Sequence, residues 1–397
     1  MDGPVEVHLL CGVSLRLSVP SRSSLTRLAA MVALVSKPEL AAAVTALFVA
    51  VAVAGVLSYR LYIARHPTRR RAAFDIGSGA TKLLVADVAG GLISARLLEE
   101  NIPIAYKTDA QANGGHLSNE IQEQGLALLG RLVEAARGLG AVEACAIATE
   151  VFRTAPNGDD FLERIRVKTG LEVRIIDQAA EAALGLATAE ALGAGGRPSW
   201  DSGGGSFQIT ARGASDGNGE MRSFTGRQGT LTALRDLYDI QGKKDAASVK
   251  GATPNPTNKK DAESLLTLVR FKLGDAPAWL DGASVVGIGG LNSLFPVALR
   301  ALRGAGSDYA GATLSLAEVQ RAFEQAIDKS DDELLVAAGT DENSDPPAYV
   351  VPKLALMLAV FERTKVAEVE YQPSVGGCEG LLCAAAGEFG AFVALQA

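Results

Sequence analysis

The sequence predicts an α/β protein in which two related domains face each other across a cleft, carried behind a short basic N-terminal segment. Three observations lead there. The chain has 397 residues, beyond the size at which one hydrophobic core usually keeps growing. A strand, a Gly-rich turn and a second strand occur twice, in AAFDIGSGATKLLV and in SWDSGGGSFQITARG, each with an Asp just before the turn. Each hairpin opens a stretch where strand and helix patterns alternate, which is how two mixed α/β domains read in sequence.

Taken in order, residues 1–71 form a targeting or anchor region. From Leu40 to Leu57 the run LAAAVTALFVAVAVAGVL is uncharged, and with SYRLYI after it the stretch is just long enough to span a bilayer, so a transmembrane helix is expected over 40–57. Arg60, Arg65, Arg69, Arg70 and Arg71 crowd its C-terminal flank, which by the positive-inside rule turns the larger part of the chain toward the cytoplasm. The alternative is a removable organelle-targeting sequence, because Val7 to Phe74 holds one acidic residue, Glu39, and is rich in Ser and Arg.

After Arg71 comes the first hairpin, then a helical pattern over 117–139 with Ser118 as N-cap, a strand at 144–148, a helix around 159–169, a strand at 171–176, and an Ala-rich helix capped by Asp177. GAGGRPS at 193–199 is a linker, so the domains are expected at 72–195 and 196–397. In the second, 242–261 is polar and Pro-containing and reads as a loop, 283–288 as a strand running into GIGG, and 352–364 as a helix ahead of a last Gly turn at 374–380.

Composition narrows the function. Residues 1–74 carry nine basic side chains against Asp2, Glu6 and Glu39, a net of +6, which leaves −13 on the rest of a chain whose total is −7. An acidic body argues against a nucleic-acid groove, which needs clustered Lys and Arg. Cys11, Cys145, Cys378 and Cys383 show no paired C-x-x-C spacing, so a reducing compartment and no zinc site are expected. His8, His66 and His116 are scattered, which removes support for a His-based triad or metal cluster.

The two Gly turns are the chemical candidates. Without a Cβ, successive backbone N–H groups can converge on a phosphate, which points to Ser78 and Gly79 in DIGSGATK and to Gly203, Gly204, Gly205 and Ser206 in DSGGGS. Asp75 and Asp201, at strand ends, are placed to hold Mg2+ directly or through water, bridging to phosphate oxygens.

DIGSGATKLLV, ATEVFRTAPN with its R-x-A-x-N at Arg153, Ala155 and Asn157, the helix start IIDQAAEA at Glu181, DSGGGS, and the terminal GCEG fall in an order that resembles the exopolyphosphatase and guanosine pentaphosphate phosphohydrolase (Ppx/GppA) family. The resemblance spans about residues 72–385. It implies a duplicated actin-like (ribonuclease H-like) fold and Mg2+-dependent hydrolysis of terminal phosphoanhydride bonds. The substrate it implies is inorganic polyphosphate or a guanosine polyphosphate.

The family's general base, the second Glu of a pair, maps onto Glu181, with Ala180 in place of the first. A first-turn position after the Asp177 cap suits an ionised carboxylate. Arg153 and Lys82 take phosphate-binding places. Several positions depart from the pattern: Gly79, Ala80 and Lys82 stand for Asn, Ser and Arg, and Ala183 and Cys378 for Arg. Lys82 substitutes for a bidentate guanidinium only as a point charge. The expected partners are thus the phosphate substrate, a membrane through the N-terminal segment, and a second copy in a homodimer, with no nucleic acid. Two other functions stay open: a phosphate-metabolite sensor without turnover, and an ATP-dependent kinase or ATPase on the same fold, where GIGGLNSLF would face the nucleoside.

Overall fold

The computed structural model describes residues 4–8, 14–18, 50, 53, 54, 57, 61 and 65–395, leaving out 214–219, 244–250, 306–308, 341–343 and 385–386. The chain divides into two units, Met1–Arg69 and Arg70–Ala397. In the first, β1 (Pro4–His8) and β2 (Ser14–Ser18) pair antiparallel, with Pro4 opposite Ser18. The transmembrane helix expected over 40–57 lies almost wholly outside the described residues. Among those described, no helix is long and apolar enough to cross a membrane.

The second unit holds both α/β halves. The first runs β3 (Arg69–Ile76), β4 (Ala80–Ala89), β5 (Leu92–Pro103), α1 (Tyr106–Ala112), α2 (Asn119–Gly138), β6 (Glu143–Ala148), α3 (Glu150–Thr154), α4 (Gly158–Thr169), β7 (Val173–Ile175) and α5 (Gln178–Ala191). The second runs β8 (Ser199–Ser202), β9 (Phe207–Arg212), β10 (Met221–Gly226), α6 (Thr230–Ile240), α7 (Lys259–Lys272), β11 (Ser284–Gly289), α8 (Leu294–Arg303), β12 (Thr313–Leu314), α9 (Leu316–Ala326), α10 (Asp331–Ala338), α11 (Val350–Thr364) and β13 (Glu368–Pro373). Two short elements, α12 (Cys378–Cys383) and β14 (Val393–Ala394), follow.

The duplication is visible in the sheets. The first sheet has the order β5-β4-β3-β6, with β7 and β14 both on the outer edge of β6; the second has β10-β9-β8-β11-β13-β12. In each, the first strand of a hairpin lies parallel to the strand after the next helical stretch: β3 beside β6, β8 beside β11. A parallel neighbour requires a crossover connection, which the helices supply.

Local sequence explains the elements. β4 alternates sides: Leu83 and Val85 enter the core under α2, whereas Leu84, Ala86 and Val88 enter the core under α12, so its central run from Leu83 to Ala86 is apolar on both faces. Helix α2 is capped by Ser118, whose hydroxyl accepts the Ile121 N–H, and buries a stripe at Ile121, Leu128, Leu129, Leu132 and Ala136. Helix α11 is buried on nearly every side, so it forms the centre of the second half; Phe361 there packs on Trp200, which meets Phe295 edge-on at 5.3 Å.

Two expectations change. The stretch expected as a loop to 261 ends earlier, because Asn258 caps α7 by accepting the Asp261 N–H and the helix begins at Lys259. The second domain does not keep the chain to 397. Val393 and Ala394 pair with Ala144 and Glu143 of β6, and Leu381, Leu382 and Phe389 join Ala73 and Leu84 in the first half's core. The inner face of β3 and β4 needs an apolar cover, and the tail after Pro373 supplies it. Helix α5 packs on α12 on one side and on β8, β9 and β11 on the other, so it lies between the two halves.

Candidate active site

Asp75, next to last in β3 and 7% exposed, is held from two directions. Its Oδ2 accepts the Gly377 N–H at 2.9 Å and lies 3.4 Å from Lys82 Nζ, which reaches over from β4. Gly376 sits at φ +61, and a Cβ there would run into Asp75 Oδ2 and the end of Lys82. The glycine is needed both for the left-handed backbone and for this close approach.

Asp201, third residue of β8, faces the same place. Gly185 of α5 comes so close that a Cβ on it would lie 3.5 Å from Asp201 Cβ. Glu181, four residues earlier on the same helix face, therefore points toward Asp201. Asp177 fixes the start of α5 by accepting the Ala180 N–H at 2.8 Å.

The electrostatics show how tightly these groups are gathered. Burial pushes the Glu181 carboxyl up to about 7, with Asp201 and Asp75 adding to the rise and Arg153 opposing it. Burial also raises Asp201, against Lys82 and with Asp75. Burial works to lower Lys82, but Asp75 and Asp201 outweigh it and hold the ammonium above its ordinary value. Glu181 and Asp201, both raised and both acted on by Asp75, therefore sit within Coulomb range of it in a poorly solvated space.

The glycine turns flank this centre. In the first, Gly77 N–H closes on Ala80 O, Ser78 O accepts the Lys107 N–H, and Gly79 O accepts the Ile104 N–H. In the second, Gly203 N–H closes on Ser206 O, while Gly203 O and Gly204 O accept the Thr230 and Leu231 N–H groups at the start of α6. Gly229 is so close to Gly204 and Gly205 that a side chain there has no room. The turn is thus seated on the first turn of α6.

The sequence-derived residues converge with two qualifications. Gly203 donates its N–H within its own turn. Arg153 donates to Ile176 O, the carbonyl just before the Asp177 cap, so its guanidinium secures the start of α5 beside Glu181. Arg227 is exposed.

Sequence reasoning missed Lys107 and Glu150. Lys107 Nζ lies 2.9 and 2.7 Å from the two Glu150 carboxylate oxygens, and the pair fills the space where a Cβ on Gly205 would be. Glu150 lies inside ATEVFRTAPN and could have been read there; Lys107 carries no signal in sequence.

Among the described residues, no three His, Cys, Asp or Glu side chains form a ready cage for a metal. Mg2+ does not need one. It is ordinarily held by one or two carboxylates with water and substrate phosphates. Asp75 and Asp201, whose charges raise the pKa of Glu181 beside them, fit that donor set.

Two α/β halves of one strand order, joined by a central helix and with paired glycine turns over a carboxylate cluster, define an actin-like protein. The chain superposes on the Ppx/GppA enzyme of Aquifex aeolicus with a TM-score of 0.62 at 19% identity, covering 80% of this chain and 100% of that one. It superposes on an exopolyphosphatase from Cytophaga hutchinsonii with a TM-score of 0.58 at 19% identity, covering 79% and 96%. At these identities the likeness speaks for the fold. Residues 80–218 match the model of the Ppx/GppA phosphatase family. Exopolyphosphatase 1 of Mycobacterium leprae is 28% identical over 144 residues, 36% of this chain and 42% of that protein. The chain thus matches less than half the length of this curated relative. Residues 80–218 are thus similar to the Ppx/GppA phosphatase family, and the fold around them is actin-like.

Proposed function

We propose that the protein hydrolyses terminal phosphoanhydride bonds of inorganic polyphosphate or guanosine pentaphosphate, with Glu181 as general base. The observation that carries this reading is the Glu181 carboxyl itself. It lies at the start of a helix between the two glycine turns, with a pKa near 7 where proton transfer from water is most effective. Arg153 and the Asp177 cap orient it. The amides of Ser78, Gly79, Gly204, Gly205 and Ser206 would bind the terminal phosphates, with Lys82 as the nearby cation. Asp75 and Asp201 would hold Mg2+, which supplies charge neutralisation on the phosphate oxygens.

Phosphate release from polyphosphate and from guanosine pentaphosphate, with Mg2+ and with wild type beside Glu181→Gln, tests the proposal. Release by wild type and none by the variant is expected. Failure of wild type on both compounds would contradict it. A second reading, binding without turnover, is favoured by one feature: Lys82 is already engaged with Asp75. Calorimetric binding without phosphate release would select it.

We also propose that residues 40–57 anchor the protein to a membrane with the C-terminal part in the cytoplasm. This rests on the uncharged run and its Arg-rich flank. Release of full-length protein by carbonate extraction would refute it.

A further inference from the structure

The turn from Ser374 to Gly377 sends its amides three ways. Ser374 N–H donates to Gly289 O at the end of β11 at 3.1 Å, Gly377 N–H donates to Asp75 Oδ2 at 2.9 Å, and Val375 N–H donates to both Glu379 oxygens at 3.0 and 3.1 Å. One short turn thus ties the second sheet to the Asp75 carboxylate of the first. Because Gly376 rests directly on Asp75 and Lys82, the turn cannot move without moving them.

Glu379 is 0% exposed, and its Oε1 also accepts from Arg96 Nη2 of β5 at 2.9 Å. Burying a carboxylate is costly even when it is paired. Its neighbours in the same core, Cys378, Leu381 and Leu382, would accommodate an apolar residue more cheaply. An apolar residue would leave the Val375 N–H without an acceptor in a closed interior, and the turn would have to rearrange to find one.

We propose that Glu379 is a positioning residue: by accepting the Val375 N–H it fixes the turn that seats Asp75, and so sets how tightly the site binds a divalent cation. The inference rests on the role proposed above for Asp75. What matters at 379 is an acceptor at the right reach, more than a negative charge. Oε1 receives both Arg96 and the shorter of the two Val375 contacts, so a Gln with its oxygen there keeps those bonds and gives up only the longer contact to Oε2, whereas an Asp is one methylene short of all of them.

The test is titration calorimetry of full-length wild type, Glu379→Gln and Glu379→Asp with Mn2+, alongside hydrogen exchange of the 374–380 segment and circular dichroism. Loss of a residue that supports a metal ligand typically weakens affinity 10- to 100-fold. E379D should lose about 10-fold or more with faster exchange in the turn, and E379Q should stay within about threefold of wild type. Wild-type affinity in a folded E379D, or a tenfold loss in E379Q, overturns the inference. E379Q decides alone if E379D does not fold, since it removes charge and keeps the acceptor. Wild type that binds no Mn2+ overturns this inference together with the cation role proposed for Asp75, and phosphate release measured in parallel shows whether the hydrolase reading survives that loss.

Discussion

Replacing Glu181 with Gln should stabilise the folded protein at pH 8 while stopping turnover. Burial, helped by Asp201 and Asp75, raises the Glu181 carboxyl from 4.5 to about 7. A folded-state pKa above the unfolded one means that the folded protein holds this proton more tightly. Stability therefore falls as pH rises from about 4.5 through about 7, and the whole penalty is present above that. At about 1.4 kcal/mol per pH unit the full rise corresponds to about 3.5 kcal/mol, and partial exposure to solvent reduces the working figure to about 2 kcal/mol. Gln carries no charge at either pH and escapes the penalty. Urea unfolding of both proteins in EDTA at pH 5 and pH 8 measures it, because titrating groups away from this carboxylate cluster contribute equally to the two. The variant should match wild type within about 0.5 kcal/mol at pH 5 and exceed it by about 2 kcal/mol at pH 8. An advantage no larger at pH 8 than at pH 5 would refute the placement of Glu181 among buried carboxylates.

Other substitutions separate the site from its scaffold. Gly376→Ala, at φ +61 and against Asp75 and Lys82, should cost more than about 1 kcal/mol in urea unfolding and lower kcat/KM at least about tenfold. Gly205→Ala should displace the Lys107–Glu150 pair and reduce kcat/KM by about 100-fold with little loss of Tm, since a small misplacement at the reacting centre is costly there. Lys353 is 1% exposed and bonded at 2.6 Å to both Asp345 and Asn292 O. Lys353→Met should destabilise the protein by about 2 kcal/mol, discounted for the partly exposed Asp345, without moving the pH dependence of turnover.

Much of the fold could be read in the sequence because its signals are local. Ser118 and Asp177 announced their helices by capping, and the two Asp-plus-glycine turns announced the duplication. The tail could not be read this way. Six residues of α12 and two of β14 carry no periodicity, and their place depends on an apolar face presented by β3 and β4 some 300 residues earlier. Asp75, Asp201 and Glu181, singled out by residue type and motif, do gather at one place, and the roles they would take there are those proposed above. Arg153 was harder, because an Arg that secures a carbonyl and an Arg that binds phosphate look alike in a motif. Lys107 and Gly376 act through close approach to groups distant in sequence, which no spacing encodes.

In the proposed reaction the Glu181 carboxyl deprotonates the attacking water between the two glycine turns. The pH dependence of kcat for polyphosphate hydrolysis, from pH 5 to 9 at saturating Mg2+, tests it most directly. The rate should climb with pH to a plateau, with the limb at or below about 7 because Mg2+ on Asp75 and Asp201 would oppose their upward pull on Glu181, and the climb should be absent in Glu181→Gln. The same ascending limb in the variant, with comparable turnover, would contradict it.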